Sequence, residues 1–275
     1  MSATWEGGPP PPPVAMTPGR IASVVLRGIP LTLLVFGGLV VLLLVRLVER
    51  PIFGTKRPVT PYITVFVCKG ALFLLGLHLS VKGEPMEGDG AIVANHSSWL
   101  DIFFLNAVKR VYFVSKSEVA GWPGIGWLAR ATGTVFIARD RSQAAEQTKL
   151  FRERLLAGHK LLFFPEGTSS DGARVLPFKP TLFAAFFDLD LRDRLWVQPV
   201  SVIYVAPAGQ DPKFFGWWGD MDFGSHLLKV LAAGQGGRIK LIYHPPLPPS
   251  NIKDRKALAR ACEQAIREGF ETVRK

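Results

Sequence analysis

An uncharged apolar run near the N-terminus limits most strongly what this chain can fold into. Residues 29–45 contain no charged side chain and lie between Arg27 and Arg46. As a helix rising ~1.5 Å per residue, the run would span roughly 25 Å, slightly less than a ~30 Å hydrocarbon core. A signal peptide is the alternative, but the run is longer than a usual signal-peptide core and no small-x-small cleavage site follows it. We therefore predict a membrane-anchoring helix that is marginal in length for crossing a bilayer.

The residues around this run divide into a tail and a second apolar stretch. Residues 1–20 include five consecutive prolines starting at Pro9 and have little apolar surface to bury, which predicts a disordered, partly polyproline tail. Residues 63–81 are apolar but interrupted by a lysine and a histidine, and a charge that faced lipid there would be costly. We expect this stretch to lie in the membrane interface or to pack against the first helix, so that residues 21–82 form a membrane-anchoring helical region.

Charge and cysteine content indicate the compartment. Lys and Arg number 33 against 22 for Asp and Glu, a formal net charge of +11 that favours anionic partners. More Lys and Arg residues follow the apolar run than precede it, which by the positive-inside rule places the rest of the chain in the cytosol. The two cysteines, Cys68 and Cys262, are too few for a disulfide framework or a Cys-based zinc site. We expect a protein of the inner (cytoplasmic) membrane whose larger domain faces the reducing cytosol.

Residues 83–275 alternate between short apolar runs and helical stretches, which is the pattern of an α/β domain. The expected strands are 91–94, 111–114, 134–138, 160–164, 196–205 and 238–243. One helix is expected over 142–157, and another over 252–273 with Ser250 or Asn251 as its N-cap. The predicted fold is therefore α/β, a mixed sheet flanked by helices and preceded by the N-terminal helical membrane anchor.

A histidine and an aspartate mark the turn after the first predicted strand of this domain. His96 follows the strand 91–94, and Asp101 lies five positions further on, where an apolar helical run begins. In a continuous helix the two would point about 140° apart, so only an intervening turn lets the carboxylate reach the imidazole. An Asp that accepts the proton of one ring nitrogen fixes the tautomer and leaves the other nitrogen as a base. The alternative is an ordinary helix start, with Asn95 or Ser97 as the cap, Asp101 facing the helix dipole and no role for the histidine.

A polar loop follows another apolar strand. The strand ends at Pro165, and Glu166, a glycine and three hydroxyl residues follow it. An ordinary strand followed by a turn is one interpretation. The functional interpretation is that Glu166 accepts hydrogen bonds from substrate hydroxyls, while the amides of Gly167 and Thr168 face a developing oxyanion.

Taken together, these segments resemble the motifs of the glycerolipid, or lysolipid, acyltransferase family. Four motifs match in order: His-x4-Asp at 96–101, Gly-x-x-Phe-Ile-x-Arg at 133–139, Phe-Pro-Glu-Gly-Thr at 164–168, and a strand block similar to Val-Pro-Val at 198–200. Any one motif would be a weak signal, but four in this order and spacing are specific. The resemblance covers roughly residues 65–245.

The resemblance implies acyl transfer from a thioester to a lipid hydroxyl, with His96 as the general base and Asp101 orienting it. The residues that would bind the acceptor are Lys116, Arg139, Glu166, Gly167, Thr168 and Ser169. A thioester is already activated, so a base that deprotonates the hydroxyl suffices, and neither a cofactor, a metal nor an enzyme nucleophile is required. An acyl-enzyme on Ser97 or Ser98 is the alternative, although each lies close to the histidine in sequence.

Ser169 departs from a common pattern of the family. Members that act on lysophosphatidate commonly read Phe-Pro-Glu-Gly-Thr-Arg-Ser, so the serine replaces a potential bidentate phosphate ligand. The continuation over residues 168–172 and 174–179 looks closest to the lyso-ornithine lipid O-acyltransferases, which acylate the 3-hydroxyl of an N-(3-hydroxyacyl)ornithine. The resemblance thus implies a lyso-ornithine lipid acceptor. Lysophosphatidate, which would give phosphatidic acid, is the alternative because Arg139, Arg174 and Lys179 remain.

The expected partners are membrane lipids and a thioester of acyl carrier protein or coenzyme A, both of which are anionic and suit the charge of +11. Two other classes compete. A membrane-tethered binding module would use the basic charge for nucleic acid, but a basic helix or aromatic sheet signature is missing, so we expect no nucleic-acid partner. A metal hydrolase would need a His-Glu-x-x-His motif or paired histidines, which the sequence lacks.

One aromatic segment falls outside these motifs. Residues 214–222 place four aromatic side chains beside two acidic ones. Since aromatic side chains favour the headgroup level of a membrane, we predict contact with the membrane or with the acyl chain in preference to a core cluster.

Overall fold

The computed structural model describes residues 5–138, 144–233 and 236–274. Within them the α-helices are α1 (Pro18–Phe53), α2 (Thr60–Leu75), α3 (Asp101–Val108), α4 (Ile125–Thr132), α5 (Ala144–Leu156), α6 (Phe223–Ala232) and α7 (Arg255–Arg274). The strands are β1 (Leu77–Lys82), β2 (Gly90–Ala94), β3 (Tyr112–Lys116), β4 (Val135–Ile137), β5 (Leu161–Phe163), β6 (Trp196–Val205) and β7 (Gly237–Tyr243). Short 3-10 helices cover Ser117–Gly121, Leu182–Phe187 and Pro249–Asn251.

Among the described residues, the seven strands form one sheet in the order β1-β7-β6-β2-β5-β3-β4. β6 and β7 are antiparallel, and the other neighbouring strands pair in parallel. This confirms the predicted mixed α/β sheet, and the six predicted strands are found within two residues of their expected ends. Because β5, β2 and β6 are parallel neighbours, the loops that leave their carboxyl ends meet at one edge of the sheet.

The central strands are buried on both faces. In β2, Ile92 and Ala94 belong to a core layer that includes residues of α2, α3 and α6, whereas Ala91 and Val93 belong to a layer with residues of α5 and α7. Successive side chains of a strand point to opposite faces, so a strand covered by helices on both sides needs an apolar residue at every position. This explains the short continuous apolar runs in the sequence.

The N-terminal helices pack closely against each other. A Cβ atom on Gly38 would lie 2.4 Å from the Val67 side chain, and one on Gly70 would lie 2.7 Å from the Leu34 side chain, so α1 and α2 approach at their glycines and run antiparallel. The second apolar stretch therefore packs against the first helix, one of its two expected placements. By length and composition, α1 is the described helix that is apolar enough to cross a membrane.

The predicted anchoring region extends too far along the chain. Residues 77–82, which the sequence assigned to this region, form β1 and pair in parallel with β7. Gly76 ends α2 in a left-handed conformation with φ of 65° and turns the chain from helix to strand. The sheet thus begins at Leu77 and not at residue 83.

The aromatic segment 214–222 was predicted at the membrane or the acyl chain, and this prediction is wrong for three of its four aromatic side chains. Phe214, Phe215 and Trp218 are at most 4% exposed. The Phe215 ring lies 5.6 Å from the Tyr204 ring on β6 and at 5.1 Å from the Phe214 ring, so the segment completes the core beneath the edge of the sheet.

The start of α7 also differs from its prediction. Neither Ser250 nor Asn251 caps this helix, because residues 249–251 form a separate 3-10 turn. Instead, Asp254 Oδ1 accepts hydrogen bonds from the backbone N–H groups of Lys256 and Ala257 at 2.9 and 2.8 Å. For α5, the predicted start at residues 142–143 lies outside the described residues.

Candidate active site

The turn from β2 into α3 is fixed by Asn95. Its side-chain amide donates to the Val202 carbonyl at 2.9 Å, and its side-chain oxygen accepts from the Val202 N–H at 2.8 Å. Asn95 is fully buried and pairs with β6. Neither Asn95 nor Ser97, the two caps of the alternative interpretation, caps α3, because its N-cap position is Leu100 and no side chain caps it. The double hydrogen bond of Asn95 holds the next residue, His96, at the carboxyl edge of the sheet.

His96 and Asp101 form a hydrogen-bonded pair. The imidazole Nδ1 lies 2.7 Å from Asp101 Oδ2, and the His96 side chain is 20% exposed while the carboxylate is fully buried. A carboxylate accepts and does not donate, so Nδ1 carries the proton and Nε2 keeps the lone pair. The ring stacks on Phe164 with centroids 4.1 Å apart, which fixes its plane. The arrangement can accept a proton from a hydroxyl at Nε2 and hold the resulting imidazolium against Asp101.

Asp101 is held by four donors. Oδ2 also accepts from the backbone N–H groups of Ser97 at 2.9 Å and Ser98 at 3.1 Å, which belong to the turn that brings the two catalytic candidates together. Oδ1 accepts from the hydroxyl of Tyr204 on β6. Sequence reasoning missed Tyr204, because it lies within an apolar strand and no motif marks it.

Glu166 is placed differently from the sequence expectation. It is 2% exposed, and its two oxygens accept from the backbone N–H groups of His96 and Leu176, each at 2.8 Å. Burial raises the pKa of Glu166 to about 8, although both amides act to lower it. The carboxylate therefore joins the loop after β5 to the loop after β2 instead of facing a substrate hydroxyl.

The loop after Glu166 lies against the histidine turn. The Gly167 N–H donates to the Phe164 carbonyl at 3.1 Å, so this amide is not available for an oxyanion. Gly167 has φ of 70°, and a Cβ atom there would lie 2.9 Å from Lys179 Nζ. The Ser170 N–H donates to the His96 carbonyl at 2.9 Å. Thr168 and Ser169 lie between the hydrogen-bonded residues Gly167 and Ser170 and are half-buried.

A buried carboxylate organises two cations beside the pair. Asp171 is fully buried and lies within 3.1 Å of both Arg174 and Lys213. Burial acts to raise the pKa of Asp171, but the Ala173 amide and the two cations together lower it. Lys213 was missed by sequence reasoning because it belongs to no motif and comes from a distant segment of the chain.

Lys116 and Arg139 were also predicted to bind the acceptor. Lys116 is the last residue of β3, which pairs with β5 on one side and β4 on the other, so it lies at the same edge of the sheet as His96. Arg139 lies outside the described residues.

The N-terminal tail reaches this edge as well. The Trp5 N–H donates to Thr168 Oγ1 at 3.5 Å, and the Arg174 guanidinium lies 5.3 Å from the centre of the Trp5 ring. The indole of Trp218 donates to the Gly8 carbonyl at 3.3 Å. This part of the predicted disordered tail therefore has specific contacts with the loop after β5.

This chain is similar to known acyltransferases. Residues 78–204 match the model of a family described as Acyltransferase, a range that includes the His96–Asp101 pair and Glu166. The lyso-ornithine lipid O-acyltransferase of Rhodobacter capsulatus is 54% identical over 269 residues, which cover 97% of this chain and 96% of that protein. The lyso-ornithine lipid O-acyltransferase of Brucella abortus is 38% identical over 205 residues, covering 70% of this chain and 76% of that protein.

Among solved structures, the 1-acyl-sn-glycerophosphate acyltransferase of Thermotoga maritima superposes with a TM-score of 0.59. The match covers 90% of this chain and 98% of that one at 22% identity. This similarity supports the fold.

Proposed function

Because this chain belongs to the acyltransferase family, we propose that it transfers a fatty acyl group from a thioester to the free hydroxyl of a lyso-ornithine lipid. The observation that carries this proposal is the His96–Asp101 pair at the carboxyl edge of the sheet, with one imidazole nitrogen held by a buried carboxylate. The donor is a thioester of acyl carrier protein or coenzyme A. No cofactor is needed, because the thioester already supplies the activated acyl group.

The reaction follows from the tautomer of His96. Nε2 removes the proton of the acceptor hydroxyl as its oxygen attacks the thioester carbonyl, which gives a tetrahedral oxyanion. The intermediate collapses with cleavage of the carbon–sulfur bond, and the thiolate takes the proton back from the imidazolium. The Asp101 charge stabilises the imidazolium between these two steps. The products are the O-acylated lipid and the free thiol, so protons and electrons balance.

The acceptor is supported by the relatives and by one residue. The Rhodobacter and Brucella proteins are both named lyso-ornithine lipid O-acyltransferases. Ser169 stands where an arginine would offer a bidentate ligand to a phosphomonoester, and an acceptor without that group does not need it. The alternative acceptor is lysophosphatidate, for which Arg174 and Lys213 offer cations near the pair, both already paired with Asp171.

The residues around the pair divide into two proposed roles. Lys116, Thr168 and Ser169 lie at this edge of the sheet and bind the acceptor. The motif of residues 133–139 supports the same role for Arg139. Glu166 and Gly167 maintain the shape of the loop, because the Glu166 carboxylate and the Gly167 amide are already hydrogen-bonded to main chain.

We propose that the protein lies on the inner membrane with its active site on the cytosolic side. Apolar side chains exposed on its helices include Leu26, Leu33, Leu47, Phe66, Phe73 and Trp127. Both ends of α1 contact the rest of the protein: Ser23 Oγ donates to the Leu231 carbonyl at 3.1 Å, and Glu49 accepts from the Thr60 N–H at 3.1 Å. A 36-residue helix bound at both ends fits best along one leaflet, since it is about 54 Å long and the hydrocarbon core is only ~30 Å thick.

An acceptor panel tests the proposed function. Membranes that contain the protein are incubated with labelled acyl carrier protein and coenzyme A thioesters, and with lyso-ornithine lipid, lysophosphatidate or no acceptor. We expect label to enter ornithine lipid in preference to phosphatidic acid. Transfer to lysophosphatidate alone would support the alternative acceptor, and salt-sensitive oligonucleotide binding without any transfer would support the binding-module class.

A further inference from the structure

Tyr204 reaches the catalytic pair from a neighbouring strand. β6 runs parallel to β2 with Val200 opposite Ala94, and Tyr204 lies four residues further along β6. Its ring packs in the core at 5.7 Å from the Phe104 ring, which fixes the direction of the hydroxyl. The hydroxyl donates to Asp101 Oδ1, the oxygen that does not contact the imidazole.

The hydrogen bonds of Asp101 are divided unequally between its two oxygens. Oδ2 accepts from His96 Nδ1 and from the amides of Ser97 and Ser98, whereas Tyr204 is the partner of Oδ1 among the described residues. The carboxylate is fully buried, so water does not replace a lost donor there. Removal of the hydroxyl would leave half of a buried negative charge without a partner.

We propose that Tyr204 is a positioning residue of the acyl-transfer reaction: its hydroxyl fixes the rotation of Asp101 and withdraws charge from it, and so sets how basic His96 is. This inference rests on the proposed function, because it requires His96 to act as a base. Tyr204 is buried and its hydroxyl binds Asp101, so we assign it no contact with either substrate. Its effect passes through the carboxylate, which presents Oδ2 to the imidazole only while Oδ1 is held.

The surroundings favour a neutral, donating phenol. Burial, and then the charge of Asp101, raises the pKa of Tyr204 well above its ordinary value, so the hydroxyl keeps its proton. Charged groups near the pair within the described ranges include Glu166, which binds the His96 N–H, and Asp171 with its two cations. Asp171 adjoins Gly172, where a Cβ atom would lie 3.6 Å from the Ser97 side chain. None of these charged groups donates a hydrogen bond to Asp101 among the described contacts.

The test compares Tyr204→Phe with Tyr243→Phe. Tyr243 is also a buried tyrosine on the sheet, but its hydroxyl has no partner among the described residues, so its removal breaks no hydrogen bond. For Tyr204→Phe we expect kcat to fall roughly tenfold, equivalent to about 1.4 kcal/mol, with little change in the acceptor KM. We also expect the rising limb of the pH–rate profile to move to higher pH, because a carboxylate with more charge holds the imidazolium more strongly. Tyr243→Phe should leave kcat and the rising limb of the pH–rate profile unchanged.

A second substitution keeps the test valid if Tyr204→Phe does not fold. Replacement of Tyr204 by 3,5-difluorotyrosine keeps the ring and the hydroxyl but makes the hydroxyl a stronger donor, so the rising limb should move to lower pH. Tyr204 has only a structural role if the rising limb of the pH–rate profile stays at the wild-type pH in both Tyr204 variants and kcat is unchanged in each variant that folds. In that case His96→Ala would still be inactive, whereas an active His96→Ala would contradict the proposed function itself.

Discussion

Replacing Glu166 by glutamine should damage the stability of the protein more than its affinity for the acceptor. The carboxylate accepts two buried backbone N–H donors at 2.8 Å, from His96 and Leu176. A glutamine can accept only one of them and turns its own NH2 group towards the other. Since burial raises the pKa of Glu166 to about 8, the side chain is largely neutral at pH 7, so the value for hydrogen bonds between neutral groups applies. A lost hydrogen bond of this kind costs roughly 0.5–1.5 kcal/mol, and a buried donor left without a partner costs roughly 1–3 kcal/mol more.

The expected net loss in the free energy of unfolding is roughly 2–4 kcal/mol, or roughly 5–10 °C in Tm for a chain of this size. Thermal unfolding in detergent, followed by circular dichroism, measures it. Glu263→Gln is the matched control, because Glu263 also accepts from a backbone N–H, that of Phe178, but its side chain is 23% exposed. We expect the control to lose far less. An unchanged Tm for Glu166→Gln, together with a raised KM for the acceptor, would contradict the structural role of Glu166. It would indicate instead that Glu166 contacts the substrate directly.

Three further results are expected. Ser169→Arg should shift the ratio of kcat/KM values towards lysophosphatidate by roughly tenfold to a hundredfold, the effect of one charge-assisted hydrogen bond, and an unchanged ratio would show that position 169 does not face the acceptor. Carbonate extraction should leave the full chain in the membrane because α1 exposes a large apolar surface, and quantitative release would show that its attachment is electrostatic. Trp5→Ala should raise the acceptor KM with kcat unchanged, since Trp5 contacts Thr168 and Arg174, and an unaltered KM would make that contact incidental.

Local sequence was sufficient to predict that His96 and Asp101 come together. His96 and Asp101 are five residues apart across one turn, so the strand pattern before them and the helix pattern after them leave few possible geometries. The order of the strands in the sheet was not predicted. It decides that the loop of Glu166 contacts the His96 turn and that Tyr204 reaches Asp101, and these contacts join residues 70 and 103 positions apart.

Two of the failed predictions share a physical cause, because hydrophobicity alone did not decide where a side chain lies or which element it belongs to. Aromatic side chains suit a membrane interface and a protein core equally well, so composition did not decide where Phe214 and Phe215 lie; their burial depends on packing against β6. Similarly, the apolar residues of α2 and β1 form one stretch, and hydropathy does not separate a helix from a strand within it. Gly76, which ends α2 with a positive φ, was the available signal for that boundary.

The most direct test of the proposed general-base role of His96 is the transfer of labelled acyl groups to lyso-ornithine lipid by the wild-type protein and by His96→Ala. Both proteins are assayed in the same membranes, after equal Tm values have shown that the substitution leaves the fold intact. We expect the wild type to acylate the lipid and His96→Ala to be slower by ~10²- to 10⁴-fold, the usual contribution of a general base. Near wild-type turnover by a stable His96→Ala protein would contradict the mechanism.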